Sequence, residues 1–157
     1  MLTEVATAGY NLTVIKQPFY VKNTIDLIRR LQPEVKKIAL ISDDRYISAM
    51  VREEVCGVLE KDFPELKLDL LTSIDISTEK LLDTLMGYSR EVGIIYNSWF
   101  VGKKQSESHY LSDNLQKIIY GFVDAPVFTL TEMDVETGAF AGGYFISASD
   151  FGKVTIQ

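Results

Sequence analysis

Three short polar clusters carry the residue types that hold small molecules: Ser42-Asp43-Asp44 with Tyr46, Asn97-Ser98-Trp99-Phe100, and Thr131-Glu132 with Asp134. Each follows a short run rich in apolar residues: Lys37 to Ser42, Val92 to Asn97, and Pro126 to Leu130. Paired aspartates can ligate a hard divalent cation through their carboxylates. Asn and Ser side chains beside an aromatic ring suit a small polar solute, which needs hydrogen bonds at its edge and an apolar face to lie on. Plainer roles compete with these. Asp43 and Asp44 also fit a strand-end turn and an N-cap for a following helix, and one of Trp99 and Phe100 could tuck into a core below the loop.

The metal option can be tested against the rest of the chain. Phospho-receiver domains hold magnesium with such an aspartate pair, beside a further aspartate that ends their third strand. Here that position offers Asn97, Ser98 and Trp99, and no lysine ahead of a proline follows the last run. The carboxylate nucleophile is therefore missing. Glycines at 138, 142 and 143 lack the spacing of a dinucleotide or phosphate loop and come late in the chain. No Gly-x-Ser-x-Gly elbow occurs. The single histidine, His109, has no cysteine or second histidine near it, and the single cysteine, Cys56, sits among apolar neighbours as a buried structural thiol would. No catalytic residue, metal site or cofactor is expected.

Composition narrows the partners. The chain has 157 residues, a net charge of −6 and 24% charged residues, with its basic residues scattered apart from short pairs such as Arg29-Arg30. A nucleic-acid backbone would be repelled. Nothing approaches the roughly 18 apolar residues in a row that a bilayer span needs, and the start lacks a signal-peptide layout. The segment itself reads as soluble, and a hydrophobic share of 46% is ample for one core.

The elements that must position the three clusters follow from periodicity. Val21, Ile25, Ile28 and Leu31 draw one helical stripe that Pro33 ends. Lys37 to Ser42 is a strand covered on both faces. Ile47, Met50, Val51, Val55, Val58 and Leu59 mark an amphipathic helix, Leu66 to Thr72 a second strand, and Ser77 an N-cap for a helix facing inward through Leu81, Leu82, Leu85 and Met86. Val92 to Asn97 is a third strand. Leu111, Leu115, Ile118, Ile119 and Phe122 stripe a helix that Gly121 could close in the left-handed conformation, and Pro126 to Leu130 is a fourth strand. The glycine-dense segment Gly138 to Ile146 suits a bulged edge strand, and Ser149-Asp150 opens a last helix cut short at Gln157, as in a segment of something longer.

Alternating strands and helices imply right-handed crossovers, hence a three-layer α/β/α domain on a mostly parallel, doubly wound sheet. Residues 1–157 form one domain, with 1–17 an N-terminal arm or edge segment. Ligands of such sheets collect beyond the carboxyl ends of the strands. The candidate ligand-binding residues are accordingly Asp43, Asp44, Tyr46, Asn97, Ser98, Trp99, Thr131 and Glu132. Tyr46, Trp99 and Phe100 should make that face apolar enough to seek a partner, including a second copy of the chain.

The run Pro18-Phe19-Tyr20-Val21-Lys22-Asn23-Thr24-Ile25 through Leu31-Gln32-Pro33-Glu34-Val35-Lys36-Lys37-Ile38-Ala39-Leu40-Ile41-Ser42-Asp43 resembles the middle of a type I periplasmic-binding-protein fold. Val92 to Asn97 resembles that family's third strand. Ala125-Pro126-Val127-Phe128 with Gly138-Ala139 and Gly143-Tyr144 resembles its closing segment, and Asp150-Phe151-Gly152-Lys153 the start of its next helix. Within the family, the chain is most similar to the ABC-transporter substrate-binding-like sensor region that precedes the membrane span of bacterial hybrid two-component histidine kinases. The resemblance implies the second lobe, residues 18–157, of a two-lobed region with strand order 2-1-3-4-5. It implies a periplasmic or other extracytoplasmic place in a membrane-anchored parent and a sugar-like or other polar metabolite held between the lobes. Lobe closure would carry the signal. The first lobe and any kinase motif are absent from this chain. An ABC-transporter solute-binding protein, or a cytoplasmic receiver-like or flavodoxin-like domain, are the alternatives.

Overall fold

The structure, a computed structural model, describes residues 18–101, 109–132, 138 and 140–155. Helix α1 (Val21–Leu31) buries Val21, Ile25 and Ile28 along one face, and its last turn closes where the Gln32 N–H donates to the Ile28 carbonyl at 2.7 Å, one residue before Pro33. Strand β1 (Lys37–Ser42) leads into α2 (Tyr46–Asp62), then β2 (Lys67–Thr72), α3 (Thr78–Met86), β3 (Val92–Tyr96), α4 (His109–Phe122), β4 (Val127–Thr129) and α5 (Ala148–Thr155). Ser77 caps α3 as its residue type predicts, its hydroxyl accepting from the Lys80 N–H at 3.3 Å.

Among the described residues four strands run parallel in the order β2-β1-β3-β4, the flavodoxin-like arrangement. The register brings Ser42 level with Thr72 and Ile41 level with Tyr96, so the loops after β1 and β3 leave the sheet side by side. Alternation along the strands divides the core into two layers. Ile38, Leu40, Ile95 and Phe128 point to the face covered by α1 and α2, where they meet Ile25, Ile28, Val51, Val55 and Leu59. Ala39, Ile41, Ile94 and Tyr96 point to the face of α3 and α4, against Leu81, Leu85, Leu115 and Ile119. Helix α1 precedes the first strand in sequence yet packs across β3 and β4 beside α2, which completes the layer.

Several expectations need correction. Among the described residues the glycine-dense segment is no fifth strand: it makes one parallel bridge, Phe128 to Gly142, with Ala141 N–H donating to Val127 O at 2.7 Å and Thr129 N–H to Gly142 O at 3.0 Å. The backbones approach so closely that a Cβ on Gly143 would stand 1.8 Å from the Thr129 carbonyl oxygen. Gly121 lies within α4, and the described glycines with left-handed φ are Gly138 and Gly142. Met86 and Phe122 are exposed, and Cys56 is half-buried instead of fully enclosed. Among the described residues no helix is long and apolar enough to cross a membrane.

Candidate functional site

At the carboxyl ends of β1, β3 and β4 the surface sinks into an open cleft of about 380 Å³. Its polar lining comes from Arg45, Asn97, Ser98, Gln116 and Thr131, and its apolar lining from Phe19, Ile47, Val51, Tyr96 and Trp99. Thus Asn97, Ser98, Trp99 and Thr131 converge as the strand-end argument predicts. Asp43, Asp44, Tyr46 and Glu132 do not line it, and Asp134 lies outside the described residues. Asp44, ahead of α2, and Tyr46, its first residue, are solvent-exposed, and Glu132 is half-buried just past Thr131.

Asp43 sits beneath the cleft, with none of its side chain exposed. Its Oδ2 accepts from Arg45 Nε at 2.9 Å and pairs with Arg45 Nη2 at 2.8 Å, while Oδ1 accepts from the Arg45 backbone N–H at 3.1 Å and the Ser48 hydroxyl at 2.6 Å. Burial alone would push this carboxyl up. The Arg45 guanidinium, the Ser48 hydroxyl and the Arg45 N–H together outweigh burial and hold it below the ordinary carboxylate value. The aspartate therefore organises the β1–α2 turn in place of facing a solute. Arg52 reinforces the turn from the next helical turn, donating from Nη1 to Ser42 Oγ at 3.1 Å and to the Asp43 carbonyl.

From this anchor a chain of hydroxyls reaches the cleft. Ser48 Oγ lies 2.9 Å from Ser98 Oγ, and Asn97 Nδ2 donates to Ser98 Oγ at 3.1 Å. Ser48 occupies the first turn of α2, fully buried, because residues 48, 51 and 55 share the helix face that packs on the sheet. Arg45 is 53% exposed, and its guanidinium also stands 5.7 Å from the centre of the Phe100 ring.

The two adjacent aromatics part company. Trp99 turns inward, 5% exposed, donating from Nε1 to Thr78 Oγ1 at 3.0 Å, so its indole serves the α3–α4 core and only borders the cleft floor. Phe100 remains 42% exposed, while its carbonyl accepts from Ser73 Oγ at 2.7 Å. With Tyr46, Ile47 and Ile74 it makes the sheet's carboxyl edge rich in exposed apolar side chains.

Sequence reasoning passed over Arg45, Ser48, Gln116 and Phe19. Ser48 carried a signal, since a hydroxyl on the inward face of α2 within reach of a strand-end aspartate needs a polar partner. Phe19 and Gln116 carried none, because they reach the cleft only through packing of the chain ahead of α1 and of α4. The fold and this cleft define a parallel α/β domain with a polar recess at its strand ends and, among the described residues, no acidic, histidine or cysteine cluster able to hold a metal. Comparisons of the chain with protein-family models, with curated proteins and with solved structures return no match.

Proposed function

We propose that this chain is a ligand-sensing lobe, without catalytic activity of its own, from an extracytoplasmic receptor of the type I periplasmic-binding-protein kind, in a parent that is a sensor histidine kinase. One observation carries the reading: a shallow recess, polar and aromatic by turns, opens at the carboxyl edge of a parallel sheet between Arg45, Asn97, Ser98 and Thr131. That is the place and the composition expected of one wall of a solute site. The exposed Tyr46, Ile47, Ile74 and Phe100 around it suit a surface that a facing lobe covers when ligand is bound.

Complete small-molecule sites bury roughly 70–90% of a ligand, which a single wall cannot do, so this lobe alone binds weakly. Trp99 is the chain's one tryptophan and borders the cleft, which makes its emission a reporter. Titration with monosaccharides and small carboxylates should give saturable changes only at high concentration. Tight binding would mean a site complete without a second lobe, and no saturable change with any solute would defeat the reading. The parent polypeptide distinguishes signalling from transport. A membrane span followed by kinase motifs fits the sensor, whereas a secreted chain partnered by a permease fits a solute-binding protein.

A further inference from the structure

The hydroxyl chain under the cleft has a direction, and the direction specifies what the cleft can hold. Asp43 receives Arg45 N–H, Nε and Nη2 and the Ser48 hydroxyl, with its side chain wholly enclosed. Backbone N–H and guanidinium groups only donate, so the carboxylate facing them accepts and is ionised. The single Ser48 proton is therefore committed to Asp43 at 2.6 Å. The 2.9 Å contact between Ser48 and Ser98, which either hydroxyl could donate in isolation, must then be donated by Ser98. Asn97 Nδ2 takes one of the two lone pairs on Ser98 Oγ. What Ser98 has left is one lone pair and no proton. Arg45 is its opposite: it lines the cleft with its side chain half-exposed, and the guanidinium can only donate.

We infer that Ser98 meets the solute as a hydrogen-bond acceptor only and Arg45 as a donor only, so that the cleft selects a small organic anion bearing a hydroxyl or ammonium donor apart from its carboxylate. This rests on the solute-binding reading and deepens it. Arg45 takes the carboxylate, Ser98 takes the donor, and Phe19, Ile47 and Tyr96 cover the carbon skeleton. An ether or ester oxygen in place of the donor would set two acceptors against each other, a mismatch that costs more than a hydrogen bond merely left unmade. Ser48 and Asp43 are positioning residues here, acting on the solute through the orientation of the Ser98 hydroxyl.

The test uses glycolate, 3-hydroxypropanoate and 4-hydroxybutanoate against their O-methyl ethers, titrated into the ¹⁵N-labelled chain. The readouts are the Arg45 Nε–H and Asn97 Nδ2–H resonances, with the buried Trp99 Nε1–H as a check on the fold. At least one hydroxy acid should shift both sites saturably and bind about tenfold or more tighter than its ether, the value of one hydrogen bond. A methyl group also adds bulk, so Ser48→Ala separates the causes. It frees the Ser98 proton to turn into the cleft while the bulk of the ether is unchanged, and the preference should fall to about threefold or less. Equal binding of acid and ether by the unaltered chain, or a preference that survives Ser48→Ala, overturns the inference and leaves the solute-binding reading standing. No saturable shift with any of the six compounds overturns the inference, and the solute-binding reading falls with it only if the monosaccharides of the Trp99 titration also give none.

Discussion

The two ends of the sheet solve one problem in opposite ways. At the amino end, Asp69 accepts from the Tyr88 hydroxyl at 2.6 Å and from Lys37 Nζ at 3.3 Å, Lys36 pairs with Glu91 at 2.6 Å, and Gln32 Nε2 donates to the Arg90 and Val92 carbonyls at 3.4 Å. These bonds tie α1, β1, β2 and the α3–β3 turn to one another and serve as staples. At the carboxyl end, Asp43 is bonded at least as fully, but its partners are held so that Arg45, Ser98 and Asn97 still border open space. The difference lies in what surrounds the carboxylate. Asp69 is a third exposed and its partners close over it, whereas Asp43 is enclosed and its partners extend outward from it. A parallel sheet orients helix N-termini and strand-end loops toward its carboxyl end, so polar groups gathered there have somewhere to point.

The largest expected effect bears on the floor of the carboxyl end. Trp99→Ala should cost about 3–5 kcal/mol of stability in urea unfolding, because it empties a buried site and orphans the Thr78 hydroxyl. Phe100→Ala, one residue on, should stay within about 0.5 kcal/mol. Similar losses for the two would erase the distinction drawn between core and rim.

Asp43→Ala comes next, at about 3 kcal/mol, since it leaves the buried Ser48 hydroxyl and the Arg45 N–H without their acceptor. The pH dependence sharpens the contrast between the ends. With its folded pKa held below the unfolded value of about 3.9, Asp43 contributes stability that is complete at neutral pH and is lost as pH falls below that value. Tyr88 is opposite in sign. Burial first, then its bond to Asp69, raises its pKa well above the ordinary tyrosine range, so its contribution is complete below about pH 10 and is lost as pH rises beyond it. Acid should loosen the carboxyl end first, and alkali the amino end. Amide exchange resolved by residue checks this, and opening of the same end at both extremes would contradict it.

Tyr88→Phe should cost about 1 kcal/mol and leave the Arg45 and Asn97 resonances where they are. A shift of the cleft signals would show that the two ends are coupled. The smallest expected effect is none: incubation with acetyl phosphate and magnesium should yield no phosphoprotein, because Asp43 is enclosed and paired and the end of β3 presents Asn97 and Ser98. An acyl-phosphate on Asp43 or Asp44 would restore the phospho-receiver alternative.

Much of this architecture was legible in the residue order. Apolar period and punctuation located α1 before Pro33, β1 at Lys37–Ser42, the Ser77 cap and the parallel doubly wound sheet, because those features depend on local geometry and on which face of an element must be buried. Convergence of the loops after β1, β3 and β4 followed from parallel topology alone. Only the tertiary structure decided which side chains of each loop face inward. Adjacent residues of an irregular loop have no fixed period, so Trp99 could turn to Thr78 and Phe100 to solvent only once α3 stood where it does. Asp43 and Asp44 are one residue type in one turn, and they separate into an enclosed anchor and a solvated neighbour by local geometry, as the start of α2 brings its N-cap Arg45 and its first-turn Ser48 back to Asp43. The direction of the Ser98 proton depends on a long-range encounter, that of Ser98 with Ser48, because a hydroxyl has no polarity of its own until a neighbour that can only accept fixes it.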